Sequence, residues 1–358
     1  MLPILVDRVA PSDQRELYAG LLVAAAGAFN SIGQVGFAWI ADRVRSVSFM
    51  WKGLAGAAVG ISLVGLAPNL FVMIALLLVG GLGIAAFHPP SAMAANRLSI
   101  EAKGVGMSIF ICGGNLGQAA GPLLLMVAYE RWSNAVFLPA MIPGLLMAAA
   151  MAALFYYDAK TEKRPKPAEG APVFNKPLII LWTIVTLRTL TTIGFLNFLS
   201  IHLKDEGMTD VARSLILSGY LLFGSVGMLL GGYASDKFSR NGVLIASLLL
   251  PAPLFLGALA LKGPLFLTTL FAGNFLLQLT TPVYIVIGQE TTEQPTNLAT
   301  SMVMGGAWGA AAVLNLPAGA AANQIGIVPM LSGLAFLPLI CLALLTLLPS
   351  RLKHPKSA

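Results

Sequence analysis

The chain has 358 residues, 57% of them hydrophobic and only 10% charged, with a mean hydropathy of +0.82. Soluble domains carry about 25% charged residues, so this composition excludes a water-facing globular fold and points to a polytopic membrane protein. The formal net charge of +7 does not indicate nucleic acid as a partner, because the basic residues sit in short gaps between apolar runs, as they do in cytoplasmic loops.

The opening MLPILVDRVAPSDQRELY has neither a basic start nor a long apolar core, so it does not read as a secretory signal. A membrane helix needs about 20 mostly apolar residues. Eleven full spans are predicted, at 17–41, 50–67, 70–95, 105–128, 133–157, 178–202, 212–234, 243–261, 264–289, 298–322 and 326–349. Cys112 and Cys341 fall inside apolar runs and read as two free thiols, with no spacing for a metal and no cofactor motif.

The loops set the orientation. With residues 42–52 in the cytoplasm, the cytoplasmic segments hold Arg43, Arg45, Lys52, Arg97, Lys103, Lys160, Lys163, Arg164, Lys166, Lys176, Lys237, Arg240, Arg351, Lys353 and Lys356. The outer segments hold only Arg8, Arg15, Arg131, Lys204, Arg213 and Lys262. This bias places the C-terminus inside. It also places residues 1–16 outside, where the apolar MLPIL reads as the remnant of a helix that precedes the first full span.

Residues 158–177, rich in Lys, Pro and Ala, read as a flexible cytoplasmic linker between two halves. The expected organisation is an N-terminal bundle at 1–157, a six-helix bundle at 178–349 and a basic tail at 350–358. The halves echo each other. WIADRVRS (39–46) matches YASDKFSR (233–240), GGNLG (113–117) matches GGAWG (305–309), and His88-Pro89 has a counterpart in Thr281-Pro282. Repeats of this kind mark secondary transporters, whose substrate sites lie near the bilayer midplane.

Two turns, Asp42-Arg43-x-Arg45 and Asp236-Lys237-x-x-Arg240, fall at cytoplasmic helix ends. A carboxylate there meets the negative end of the helix dipole and needs a basic neighbour or the N-terminus of another helix. Such a contact can break when the halves move; the plain alternative is a solvated charged turn. These turns resemble the loop signature of the major facilitator superfamily, Gly-x-x-x-Asp-Arg-x-Gly-Arg. Gly232, Asp236, Lys237 and Arg240 fit the second copy, whereas Ala38 and Arg45-Ser46 depart from it in the first. The resemblance implies two pseudo-symmetric helical bundles and a gating role for Asp42, Arg43, Arg45, Asp236, Lys237 and Arg240.

The chain is most similar to the fosmidomycin-resistance type of efflux protein within that superfamily. AAFHPPSA, SIFICGGNLGQAAGPLL (108–124), LRTLTTIGFLNFLSIHL (187–203), TPVYIVIGQE (281–290) and MVMGGAWGAAAV (302–313) carry the resemblance. Against that family the first helix is largely missing, with only Leu2-Pro3 matching its tail. Pro90 stands where the family has a glutamate after Phe-His-Pro.

Arg188 is the one charge deep in a span, ten residues from the start of segment 178–202 and so about 15 Å along it. Charges at that depth face a cavity or a partner. A guanidinium suits a phosphonate, phosphate or carboxylate; otherwise it pairs with carbonyls or amides of neighbouring helices. Asn274, Gln278 and Thr281 fall at i, i+4 and i+7 and form a polar stripe on the tenth helix. The superfamily fold lines its cavity with helices one, four, seven and ten, which favours His88, Arg188, Asn274, Gln278 and Thr281 as substrate contacts. His88 is the candidate for proton coupling, since imidazole titrates near neutrality; a packed core histidine is the alternative. Gly113, Gly117, Gly121 and Pro122, with Gly305 and Gly309, read as helix-packing surfaces.

The expected function is secondary active transport across a bacterial inner membrane, with proton-coupled efflux of a small amphiphilic or anionic compound by alternating access. The protein is expected to work as a monomer. An uncoupled facilitator or uptake porter, or a transport-dead binding protein, is the alternative, and no catalytic cluster supports an enzyme.

Overall fold

The computed structural model describes residues 15–44, 47–99, 101–161, 174–292 and 296–353. They are helical almost throughout, with no strand among them. The first five helices are α1 (Arg15–Val44), α2 (Phe49–Leu63), α3 (Leu70–Leu98), α4 (Lys103–Trp132) and α5 (Ile142–Thr161). Then come α6 (Lys176–Asp205), α7 (Asp210–Lys237), α8 (Arg240–Leu249), α9 (Pro251–Ala260), α10 (Pro264–Gln278) and α11 (Thr281–Glu290). The last are α12 (Asn297–Ser301), α13 (Ala307–Ile325) and α14 (Ile327–Leu345), with single turns at Phe137–Ala140 and Ser350–Lys353.

Nine helical stretches among the described residues are long and apolar enough to cross a bilayer. The expected spans 17–41 and 105–128 are not among the nine. They lie in α1 and α4, each 30 residues and so about 45 Å long, with Asn30, Ser31 and Gln34, and Asn115 and Gln118, in mid-helix. The expected helix remnant before the first full span lies outside the described residues.

Helix boundaries follow local chemistry. Asn175 caps α6 by accepting from the Leu178 N–H (2.9 Å), and Ser239 caps α8 by accepting from Gly242 (3.1 Å). Gly263 (φ 63°) and Gly326 (φ 92°) turn the chain between spans in the left-handed region that glycine tolerates. Two spans are broken by proline, α8 from α9 at Pro251 and α10 from α11 ahead of Pro282. By contrast, Pro89 and Pro90 lie inside α3 and do not end it. The linker is shorter than 158–177, because α5 runs to Thr161 and α6 starts at Lys176.

By packing, the chain forms two compact units. One holds Met1–Ala94, Gly114–Ala171 and Thr296–Gly306; the other holds Ala95–Gly113, Pro172–Pro295 and Ala307–Ala358. The division departs from a simple cut at the linker: one piece of α4 joins the second unit, and α12 with the π-helical turn Met302–Gly306 joins the first.

In the first unit, Val64, Met73, Leu77, Val136 and Phe137 form a buried cluster. Helices α2 and α3 touch through glycine. A methyl on Gly60 would stand 2.4 Å from the Gly80 nitrogen, and one on Gly83 2.4 Å from the Ala57 nitrogen. In the second unit, Phe195 stacks on Phe255 with ring centroids 4.3 Å apart, among Leu199, Tyr220, Leu270, Leu277 and Leu331. Here α7 meets α10 and the turn after it across Gly227 and Gly231.

The expected packing glycines of α4 do not serve that purpose among the described residues. Gly113, Gly117 and Gly121 are exposed, and a methyl on any of them would meet nothing within 4 Å. Small size permits close approach only where another backbone arrives, and among the described residues none comes within 4 Å of these positions. The side chain of Pro122 lies outside the described part. Gly305 is packed, with Gln34 2.6 Å from where its methyl would stand, and Gly309 is half-buried.

Candidate functional site

The break between α10 and α11 builds the polar centre of the second unit. Pro282 has no N–H, so the helical ladder cannot run through. Arg188, on α6, reaches the break and is 1% exposed. Its Nε donates to the Leu277 carbonyl (2.9 Å), and its Nη2 donates to Thr281 Oγ1 (2.7 Å) and to Gln278 Oε1. The Thr281 hydroxyl in turn donates to Gln278 Oε1 (2.7 Å). The Tyr284 ring centroid lies 6.0 Å from the guanidinium carbon. Every hydrogen-bond partner of Arg188 is neutral, and none of these bonds uses Nη1. Among the described residues this buried positive charge has no carboxylate partner, and its Nη1 stands outside the three hydrogen bonds.

Of the five expected substrate contacts, Arg188, Gln278 and Thr281 are therefore brought together. Asn274 is not part of the set; its Nδ2 donates to the Tyr220 carbonyl (2.6 Å) and ties α10 to α7. His88 belongs to the first unit, half-buried on α3, with its ring edge-on to Phe87 at 5.5 Å between centroids.

The two Asp turns carry matching geometry. Asp42 accepts from the Asn297 N–H (2.9 Å), the Asn297 side-chain amide (2.8 Å) and the Leu298 N–H (3.0 Å). Asp236 accepts from the N–H groups of Gly104 (3.0 Å) and Val105 (2.9 Å). Each carboxylate thus holds the start of a helix from the other half of the sequence, where unpaired N–H groups and the positive dipole end are available. Gly104 and Gly232 make the second contact possible, since a methyl on Gly232 would stand 2.3 Å from the Gly104 carbonyl oxygen.

The basic residues of the turns do different work. Arg43 lies over the Trp39 ring (3.4 Å), and Lys237 donates to the Tyr233 hydroxyl (2.7 Å). Arg240 is buried and pairs with Glu290 (2.5 Å) while donating to the Leu352 carbonyl (3.1 Å). Arg45 lies outside the described residues. Sequence reasoning missed Glu290 as the partner of Arg240, and it missed the buried hydrogen bond from Asn96 to Gln289. Asn96 and Gln289 were visible as polar residues at the ends of apolar runs, but nothing in the sequence paired them.

The described residues thus form a helical membrane protein with two repeat-related Asp clasps and a buried cation at a broken span. The family description Major Facilitator Superfamily matches residues 9–277, and the chain belongs to that superfamily. It is close to the fosmidomycin-resistance type. It is 27% identical over 347 residues to the uncharacterised MFS-type transporter YfnC of Bacillus subtilis, covering 92% of this chain and 84% of that one. It is 24% identical over 299 residues to the fosmidomycin resistance protein of Escherichia coli, covering 80% and 73%. Among solved structures it resembles FucP in the outward conformation (TM-score 0.70, 14% identity, 92% of this chain and 88% of that one). It also resembles the proton:xylose symporter XylE (TM-score 0.70, 12% identity, 96% and 89%). These matches make the protein a multi-pass membrane transporter of the major facilitator superfamily.

Proposed function

We propose that this transporter is a secondary active exporter of a small amphiphilic or anionic compound, coupled to inward proton movement and working as a monomer in the bacterial inner membrane with its C-terminus in the cytoplasm. The observation that carries the reading is Arg188, a buried guanidinium with only neutral partners and with Nη1 outside its hydrogen bonds. A charge at that depth is costly unless it has a task, and an oxyanion is its complement. The name of the Escherichia coli fosmidomycin resistance protein supports export of such a compound.

Asp42 and Asp236 act in this reading as latches, since each holds two backbone N–H groups that it can release as a unit. His88 is the proton-coupling candidate. Among the described residues every helical Asp and Glu lies within one turn of a helix end, so no carboxylate stands in mid-span. That same observation favours one second reading, an uncoupled facilitator.

The test is flux in proteoliposomes loaded with an alkylphosphonate such as butylphosphonate. Arg188→Ala should abolish binding and transport, and unchanged affinity would remove its assigned role. His88→Ala should flatten the pH dependence of transport. Flux that ignores an imposed pH gradient in the unmodified protein would select the facilitator.

A further inference from the structure

Gln278 and Thr281 fell on the expected substrate stripe, yet both are turned onto the Arg188 side chain. Leu277, at the broken end of α10, offers its carbonyl to Nε at 2.9 Å. Gln278 and Thr281 take the two N–H groups of Nη2 and are hydrogen-bonded to each other at 2.7 Å. All three partners sit on the two sides of the Leu279–Thr280 break, and Gln278 is 4% and Thr281 9% exposed. The guanidinium is therefore fixed along its whole Nε–Nη2 edge, which is the edge a carboxylate or phosphonate would otherwise engage with two parallel hydrogen bonds.

Resting on the reading of Arg188 as the anion contact, we infer that Gln278 and Thr281 are positioning residues and that Nη1 alone meets the substrate. They orient Arg188 and anchor it to the break in the tenth span. The substrate oxyanion is met end-on by one amino group. The site then gains nothing from a planar two-oxygen acceptor, and a tetrahedral oxyanion such as a phosphonate suits it as well as a carboxylate. Loss of either positioning residue frees Nη2 for the anion while uncoupling Arg188 from the break. Binding is kept and movement suffers, the reverse of what removing a direct ligand does.

The full chain in proteoliposomes, with butylphosphonate as probe, separates the possibilities by measuring binding calorimetrically and exchange by counterflow. Thr281→Val and Gln278→Leu should bind within about threefold of the unmodified protein, or tighter, yet exchange at least about tenfold more slowly. Thr281→Ser, which keeps the hydroxyl, should restore the exchange rate. Gln278→Glu places a carboxylate on the guanidinium without removing its anchor, and should abolish binding while the melting temperature holds. If Thr281→Val and Gln278→Leu weaken binding as much as Arg188→Ala does, they are substrate ligands and the inference falls, while the anion reading stands. If butylphosphonate does not bind, or if Arg188→Ala or Gln278→Glu binds it normally, the anion reading falls and takes the inference with it.

Discussion

Arg188 shows what a single residue can and cannot disclose from sequence. A lone arginine in an apolar run is conspicuous, and its depth of about 15 Å follows from counting at 1.5 Å per residue. Its partners were half legible. Gln278 and Thr281 stood on a regular stripe with Asn274, but that stripe assumed an unbroken helix. The break after Gln278 turns Thr281 toward Arg188, and Asn274 goes to the Tyr220 carbonyl instead. A stability prediction belongs here. Arg188→Ala strips three hydrogen bonds from buried acceptors; Gln278 and Thr281 keep their bond to each other, and a group left without any partner costs about 1–3 kcal/mol. The variant should melt several degrees lower in detergent, and Asn274→Ala, which frees only one carbonyl, should melt less far below the unmodified protein. Equal melting temperatures for all three proteins would contradict this account of the cluster.

At the scale of the helix, glycine and aspartate decide the contacts. Sequence reasoning placed the packing surface at Gly113, Gly117 and Gly121 because three glycines spaced by four share one face. Spacing names a smooth face but not the helix that meets it, and the tight contacts formed elsewhere. A methyl on Gly231 would stand 1.9 Å from the Leu279 carbonyl oxygen, whereas one on Gly113 would meet nothing. Gly231→Ala should therefore force α7 from the α10–α11 turn and destabilise by about 1–3 kcal/mol. Gly113→Ala should leave the melting temperature unchanged or slightly raised, since alanine is the better helix former. The Asp turns were legible more fully. Their position at helix ends called for a basic neighbour or the N-terminus of another helix; each carboxylate accepts from N–H groups at a helix start, and neither that choice nor the helix involved could be read without the tertiary fold. Asp236→Ala removes the acceptor for two N–H groups at the start of α4, a capping loss of about 0.5–2 kcal/mol. It should raise the alkylation rate of a cysteine introduced at Ser108, whose buried hydroxyl now donates to the Met228 carbonyl at 2.9 Å. Asp236→Asn, which keeps one acceptor oxygen, should fall between. An unchanged alkylation rate would leave the cap without a part in closing that region.

For the molecule as a whole, composition revealed the membrane class, and the repeat pointed to two related halves. The exchange of pieces between the compact units was hidden, because residues 95–113 and 296–306 pack with the half they do not belong to by sequence. The charge inventory has a consequence at this scale. The described helices hold no carboxylate in mid-span, so nothing there balances Arg188. When a monoanion binds, the occupied centre becomes neutral, and the empty centre returns with its positive charge. Outward movement of one monoanion against one inward proton then carries two positive charges inward per cycle. Each charge crossing the membrane is worth about 2.3 kcal/mol per 100 mV, so an inside-negative potential of 100 mV would favour export by about 4.6 kcal/mol. Proteoliposomes with a potassium gradient and valinomycin allow the potential to be set while butylphosphonate flux is followed. The proton-coupled exporter should show a reversal potential that shifts with the pH gradient and a stoichiometry of two charges per anion. One charge per anion, with no shift as the pH gradient is varied, would assign the protein to the uncoupled facilitators and leave His88 with a packing role beside Phe87.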